Sequence, residues 1–378
     1  MLRLDTVSFP WQVSRAAWTI RALLTDNRCR GYRLSAACLD RIWRPFREKV
    51  RDCVVLNVFQ LFPTFIADDD RVEKWFYIDA TLKQNFEDYG VGQRVGRRLV
   101  EDAMAREKHG YLRARGIIAN SAWAARSVVE DYGISAERVC VVIQGANLDR
   151  RAYEAWEERA ELGRSEDFDL NERELKLVFV GRDWKRKGLD RLIGALRLFR
   201  ARGGRATLRV LGVEARNLPA GAAAETGIEW LGYLDKTRHP NRFMDLVSEC
   251  HVGCLLSTAE AGGIGLREYH ALGLVVLGTQ AGGAADQLLP GASVAVATTA
   301  SVSEIADILL DLQQDRAKFL RMRAHAWKFR RLALWEPVVR HVAQTMRPQG
   351  VNPHHAEVPV RLLAGRTTPT EQRPDDGL

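Results

Sequence analysis

Cysteine is scarce in this chain of 378 residues: Cys29, Cys38, Cys53, Cys140, Cys250 and Cys254 are scattered, with no spacing that suggests a disulfide framework. Such usage fits a reducing, cytoplasmic compartment. Cys250 and Cys254 form Cys-x-x-x-Cys, but no second ligand pair accompanies them, so buried thiols are expected there rather than a metal. No apolar run approaches the roughly 18 residues that span a bilayer. The first ten residues carry Asp5 and lack an apolar core, which argues against a secretory signal. There is no internal repeat, and residues 1–24 contain no glycine. These absences exclude a disulfide scaffold, a helical membrane span and a solenoid.

What is present is a globular composition with 56 basic and 48 acidic residues, a net charge of +8. The excess favours acidic partners, whether sugar-nucleotides, anionic lipids or nucleic acid, and composition does not choose among them. The length suits two domains, each with its own core.

The C-terminal half alternates strand and helix signals, as a doubly wound α/β sheet requires. Strands are expected over Leu175–Val180, Thr207–Leu211, Ile228–Leu231, Val252–Leu256 and Val275–Leu277. A helix fits Leu189–Arg202, another begins near Gly265, and a third runs over Ser303–Leu312 behind a serine cap. The N-terminal half, residues 1–150, offers strands over Cys53–Phe62, Trp75–Ile78, Gly116–Ala119 and Val139–Ile143, with a helix within Gly92–Arg115. Residues 151–174 are dense in charge and read as a linker and hinge. The second domain then covers 175–346. Beyond it, residues 347–378 are polar and proline-bearing and read as a disordered tail.

Two clusters carry the chemistry, each at the carboxyl end of an expected strand, where parallel sheets present their ligand sites. The first is Gly181-Arg182-Asp183-Trp184-Lys185-Arg186-Lys187-Gly188, which sets permanent cations among glycines that let the backbone turn. The second is Glu260-Ala261-Gly262-Gly263-Ile264-Gly265-Leu266-Arg267-Glu268, a glycine-rich turn leading into a helix. Bare amides and a helix start favour an anion, and the two glutamates flank it. A carboxylate there can accept two hydrogen bonds from a vicinal diol such as a ribose.

On these residues the chain resembles the retaining glycosyltransferases of family four. The resemblance rests on Gly181-Arg182 with Lys187-Gly188, and on Glu260 and Glu268 eight positions apart. It extends to Tyr269-His270-Ala271-Leu272-Gly273, Val275-Val276 and Ala281-Gly282-Gly283, with Asp286 where the family often has Glu. It is strong over Leu175–Leu312 and weaker over Ile117–Trp123 and Val141–Asn147. It implies the GT-B fold, two Rossmann-like domains facing across a cleft. The family's N-terminal domain opens with a strand and a glycine-rich loop; with no glycine before residue 25, either the chain begins late or this domain is reduced.

The resemblance assigns roles residue by residue. Arg182 and Lys187 would hold the diphosphate of a nucleotide-sugar donor and stabilise it as it leaves, with Gly181 beneath them. Amides of Gly263, Ile264, Gly265 and Leu266 would assist. Glu260 would contact the transferred sugar and Glu268 the ribose hydroxyls. Charge grows on the diphosphate as the glycosidic bond breaks, and one preorganised donor commonly changes such a rate by roughly 10²–10³. No carboxylate nucleophile stands out, which favours front-face attack by the acceptor hydroxyl. Asp79, after Tyr77-Ile78, is the acceptor-side candidate, with Arg126 and Asn147 behind it. The expected partners are the nucleotide-sugar and a glycan or lipid-linked acceptor, with no cofactor and no metal. Tyr233 and the turn after Thr279 are expected near the base and sugar, whose identities they do not encode.

Three other signals compete. Asp68-Asp69-Asp70 fits the Asp-x-Asp pattern of metal-dependent transferases, where a divalent cation does the work of the two basic residues. Gly90–Gly96 mimics a dinucleotide fingerprint, but Glu87 and Asp88 precede it where a strand should stand. The stretch Arg94–Arg115 holds seven basic residues against three acidic ones and suits peripheral contact with an anionic membrane. Nucleic-acid binding is not expected, because no aromatic-interleaved basic module is present. The readings to be separated are therefore an active metal-free transferase, a non-catalytic relative that binds the nucleotide-sugar or a partner, and a metal-dependent transferase.

Overall fold

A computed structural model describes residues 9–26, 30–162, 174–214, 217 and 225–347. Cys29, most of the first ten residues, part of the expected linker and the expected tail beyond 347 lie outside the described residues. The chain divides into two units: residues 1–142 with 341–378, and residues 143–340.

The first unit is built on a four-stranded parallel sheet in sequence order, β1 (Val54–Asn57), β2 (Glu73–Ile78), β3 (Gly116–Ala119) and β4 (Val139–Val141). All three pairings are parallel, which obliges the chain to cross over between strands. Its core holds a run of aromatic edges: Phe62 on Phe76 at 4.8 Å, Phe76 on Tyr111 at 4.9 Å and Tyr111 on Tyr132 at 5.3 Å between ring centroids. The strand expected to reach Phe62 ends at Asn57. There the Asn57 side chain donates to the Leu61 carbonyl (2.9 Å) and accepts from the Phe59 amide (3.1 Å), so a local turn replaces the ladder. The helix expected within Gly92–Arg115 occupies Arg97–Arg113, behind the extended backbone of Gly96.

The second unit carries six parallel strands, β5 (Leu175–Val180), β6 (Ala206–Leu211), β7 (Ile228–Trp230), β8 (Val252–Leu255), β9 (Val275–Thr279) and β10 (Ser293–Val296). Their spatial order is β10-β9-β8-β5-β6-β7. Counted from β5, this is the 3-2-1-4-5-6 order of the doubly wound fold, and the winding reverses between β5 and β8. Every residue of β8 and β9 is buried, as expected of strands covered on both faces. The helix behind Ser301 spans Val302–Gln314 and opens with a capping box formed by Ser301 and Glu304.

Two boundaries need correction. The expected linker 151–174 is instead helical over Arg150–Leu162 and packs within the second unit. Its charge concealed a buried stripe of Ala152, Tyr153 and Trp156. The Tyr153 hydroxyl donates to the Ala271 carbonyl (2.9 Å) and the Trp156 indole to Ser248 (3.0 Å). Glu157, also buried, pairs with Arg330 and Arg331. The second unit therefore starts at Ile143 rather than 175, and the described residues 341–347 group with the first unit although the helix Trp335–Thr345 begins in the second.

Candidate active site

The point between β5 and β8 is where an open α/β sheet has room for a ligand, because the connections leave these strands toward opposite faces. Both charged clusters lie there. The backbone of the first runs along the extension of β8: the Leu256 amide donates to the Lys187 carbonyl (3.2 Å) and the Thr258 amide to the Arg186 carbonyl (2.9 Å). Two glycines make that approach possible. Gly188 has a left-handed backbone, φ +73°, and a Cβ there would overlap the Leu256 carbonyl; a Cβ on Gly181 would overlap the stem of Lys187, which passes above it.

The side chains then converge. Glu260 Oε2 lies 3.2 Å from Arg186 Nη1 and 3.5 Å from Lys187 Nζ, and accepts from the buried Ser257 hydroxyl at 3.1 Å. Arg186 also donates to the Ala259 carbonyl (2.6 Å), and the Glu260 carbonyl accepts from the Gly283 amide (2.9 Å). Arg182 stands apart from this cluster, its guanidinium stacked 4.2 Å over the Tyr233 ring.

The helix expected near Gly265 spans Ile264–Ala271, capped by Gly263 with φ +54°. Of the four amides expected to face an anion, that of Leu266 is already donated to the Gly263 carbonyl (2.8 Å), which corrects the expectation for this residue. A Cβ on Gly265 would meet nothing within 4 Å, so the space beside the helix start is open. Glu268 is buried one turn further on. Burial pushes its carboxyl above the usual range, and an ion pair with Lys236 together with the Asn147 amide opposes that rise. Asn147 thus bears on this site from its backbone, while its side chain accepts from the Trp335 indole (3.0 Å).

The structure therefore brings together Gly181, Lys187 and Glu260 around the switch point. Arg182 stands on Tyr233, and Gly263, Ile264, Gly265 and Glu268 belong to the adjoining helix start. Asp79 belongs to the first unit, exposed at the carboxyl end of β2, with Gln60 donating to it at 3.3 Å. Arg126 is exposed on the helix Ala122–Glu130.

Residues 164–329 match the family profile of glycosyl transferases group 1. This stretch is a group 1 glycosyl transferase domain. It overlaps the Leu175–Leu312 region that carries the family's motifs and contains β5 to β10. A D-inositol 3-phosphate glycosyltransferase of Nocardia farcinica (strain IFM 10152) is 30% identical over 277 residues, 71% of this chain and 59% of that protein. Its counterpart in Rhodococcus jostii (strain RHA1) is 25% identical over 259 residues, 66% of this chain and 56% of that protein. The chain thus spans less than three-fifths of the length of these curated relatives. Among solved structures, a UDP-forming trehalose-phosphate synthase of Burkholderia xenovorans has a TM-score of 0.61 at 15% identity, covering 90% of this chain and 87% of that one. HepE of Anabaena, solved with UDP-glucose, has a TM-score of 0.54 at 16% identity, covering 82% and 81%. The fold is GT-B, with two parallel-sheet α/β units.

Two residues of the group 1 domain escaped sequence reasoning. Lys236 lies in the irregular segment after β7, and no motif announces that it pairs with Glu268. Ser257 follows β8 directly, and only its position at a strand's carboxyl end could have drawn notice.

The competing acidic run does not converge. Asp68 pairs with His109 (2.7 Å), Asp69 with Arg71 (2.7 Å) and Asp70 with Arg113 (2.5 Å). The hydrogen bonds from Arg71 lower the Asp69 carboxyl to about 2. Among the described residues, no three His, Cys, Asp or Glu side chains gather as a metal site.

Proposed function

We propose that this protein transfers a sugar from a nucleoside-diphosphate sugar to an acceptor hydroxyl, with retention at the anomeric carbon and without a divalent metal. The observation that carries the reading is the convergence of Lys187 and Glu260 at the point where the sheet reverses its winding, with Arg182 rooted in the same loop. A site of this kind has cations for a diphosphate and a carboxylate for a sugar, side by side.

In this reading Arg182 and Lys187 bind the two phosphates, helped by the amides of Ile264 and Gly265. Glu268 accepts from the ribose hydroxyls, and Lys236 opposes the rise that burial imposes on its carboxyl. Glu260 accepts from the hydroxyls of the transferred sugar. The acceptor oxygen forms its bond to the anomeric carbon on the face from which the diphosphate departs. The breaking bond leaves its electron pair on the phosphate oxygen, and the acceptor's proton passes to that oxygen. The products are the glycosylated acceptor and a nucleoside diphosphate. Preorganised cations lower the barrier because they need no reorganisation as the negative charge develops.

UDP is the first nucleotide to try, since HepE holds it in its solved structure. D-inositol 3-phosphate, named in the two curated relatives, is the first free acceptor to set against glycan and lipid-linked ones. The deciding measurement is calorimetric titration of UDP and GDP without metal, for the wild type and Lys187→Ala. Metal-free binding that the substitution abolishes supports the donor site. Binding that requires a metal, or that ignores the substitution, overturns it. Wild-type binding accompanied by neither donor hydrolysis nor transfer would identify a non-catalytic relative.

A further inference from the structure

We infer that the helix Phe9–Asp26 is a docking element for an anionic lipid surface. Apolar residues at helical spacing ordinarily face a core. Here they face away from it. Trp18 packs on Tyr32 with ring centroids 5.5 Å apart, and the Ser14 hydroxyl bonds the Tyr32 hydroxyl at 2.6 Å, so positions 14 and 18 mark the side turned to the protein. Val13, Ile20 and Leu24 lie roughly a third of a turn round the helix from that side and are 50%, 61% and 82% exposed, with Leu23 at 45% beside them. Spacings of seven and four residues align the first three in one stripe along the helix axis.

Charge decides what covers that stripe. The described residues 9–26 and 30–50 hold eight basic residues against three acidic ones. A second copy of this chain would set that excess against itself. An anionic bilayer answers both the charge and the apolar stripe. No described helix is long and apolar enough to cross a membrane, so the element would lie along the interface with its apolar side sunk among the acyl chains.

The helix Arg97–Arg113, whose composition also suggested membrane contact, suits the role less well. Among its large apolar side chains only Leu112 is exposed, so it presents no apolar stripe to a bilayer.

The inference is independent of the donor site, and the test keeps the two apart. The full chain is sedimented with vesicles of phosphatidylcholine alone and of phosphatidylcholine with 30% phosphatidylglycerol (a probe composition of roughly this order), at low and moderate salt. Selective sedimentation with the anionic vesicles is expected, and Ile20→Glu with Leu24→Glu should lower the partition coefficient by roughly 10–100-fold, as lost burial of two aliphatic side chains implies. Because both side chains are exposed, circular dichroism and thermal melting should be unchanged. Lys187→Ala, which strikes the donor site, should sediment like the wild type. Absence of vesicle binding, or binding indifferent to the two glutamates, overturns the inference. So does a concentration-dependent dimer that the same two substitutions dissociate, which would make a second copy the occupant.

Discussion

Lys187 Nζ stands 3.5 Å from Glu260 Oε2, and the two residues descend from the carboxyl ends of adjacent strands, β5 and β8. A bound diphosphate would share that lysine with the carboxylate. Replacing Glu260 by Gln should therefore leave UDP affinity intact or raise it, while the turnover of a UDP-sugar falls by roughly 10²–10³. Titration of UDP beside initial-rate measurement separates the two effects. A parallel loss of both would show that Glu260 serves only to hold the loop.

Gly181 and Gly188 bracket the same loop but should fail differently. Gly181→Ala intrudes on the stem of Lys187, so nucleotide affinity should fall with little change in melting temperature. Gly188→Ala forces an alanine to φ +73° against the Leu256 carbonyl. The left-handed backbone alone costs about 1–2 kcal/mol, and the overlap adds to it. Denaturant unfolding should show the second variant destabilised and the first close to wild type.

Lys236 and Glu268 are coupled across 32 positions of sequence. The lysine opposes the rise that burial imposes on the Glu268 carboxyl, so Lys236→Met should let that carboxyl take up a proton at higher pH. A protonated Glu268 accepts fewer hydrogen bonds from a ribose. Nucleotide binding by the variant should weaken as pH falls from 8 to 6, more steeply than in the wild type. Calorimetry across that range checks it, and matching pH profiles would remove Glu268 from the nucleotide site.

In the first unit, Glu107 is fully buried, and burial pushes its carboxyl up to about 8 against the bonds it receives from Tyr111, Tyr132 and the Leu82 amide. The folded state therefore keeps a proton that the unfolded chain releases near pH 4.5. The stability this confers is complete below that pH and is lost as pH rises toward 8, with a slope of up to about 1.4 kcal/mol per unit. Urea unfolding at pH 5.5 and 8 should show the wild type weakening, and Glu107→Gln should flatten the trend. A wild type equally stable at both values would contradict the argument.

The strands Leu175–Val180 and Gly116–Ala119 were legible to the residue because short, uninterrupted apolar runs bounded by glycine or polar residues have few other fates. The helix Arg150–Leu162 was misread as a linker because its charged majority outweighs the buried stripe of Ala152, Tyr153 and Trp156 in any average taken along the chain. The apolar side of Phe9–Asp26 posed the converse difficulty. Its spacing is that of a core-facing helix, and no local pattern reports that the core lies on another side.

Sequence by itself determined the chemistry of the basic loop that follows β5. Gly181, Arg182, Lys187 and Gly188 are neighbours along the chain, as are Glu260 and the glycines behind it, and proximity in sequence guarantees proximity in space. Only the tertiary structure decided that these two loops meet, since the order β10-β9-β8-β5-β6-β7 sets β5 against β8 although more than seventy residues separate them. The same holds for Lys236 on Glu268 and for the partners that occupy Asp68, Asp69 and Asp70. A side chain's type is written locally, but the charge it will face depends on which strands and helices share a sheet, and that is settled by burying the apolar faces of the whole unit at once.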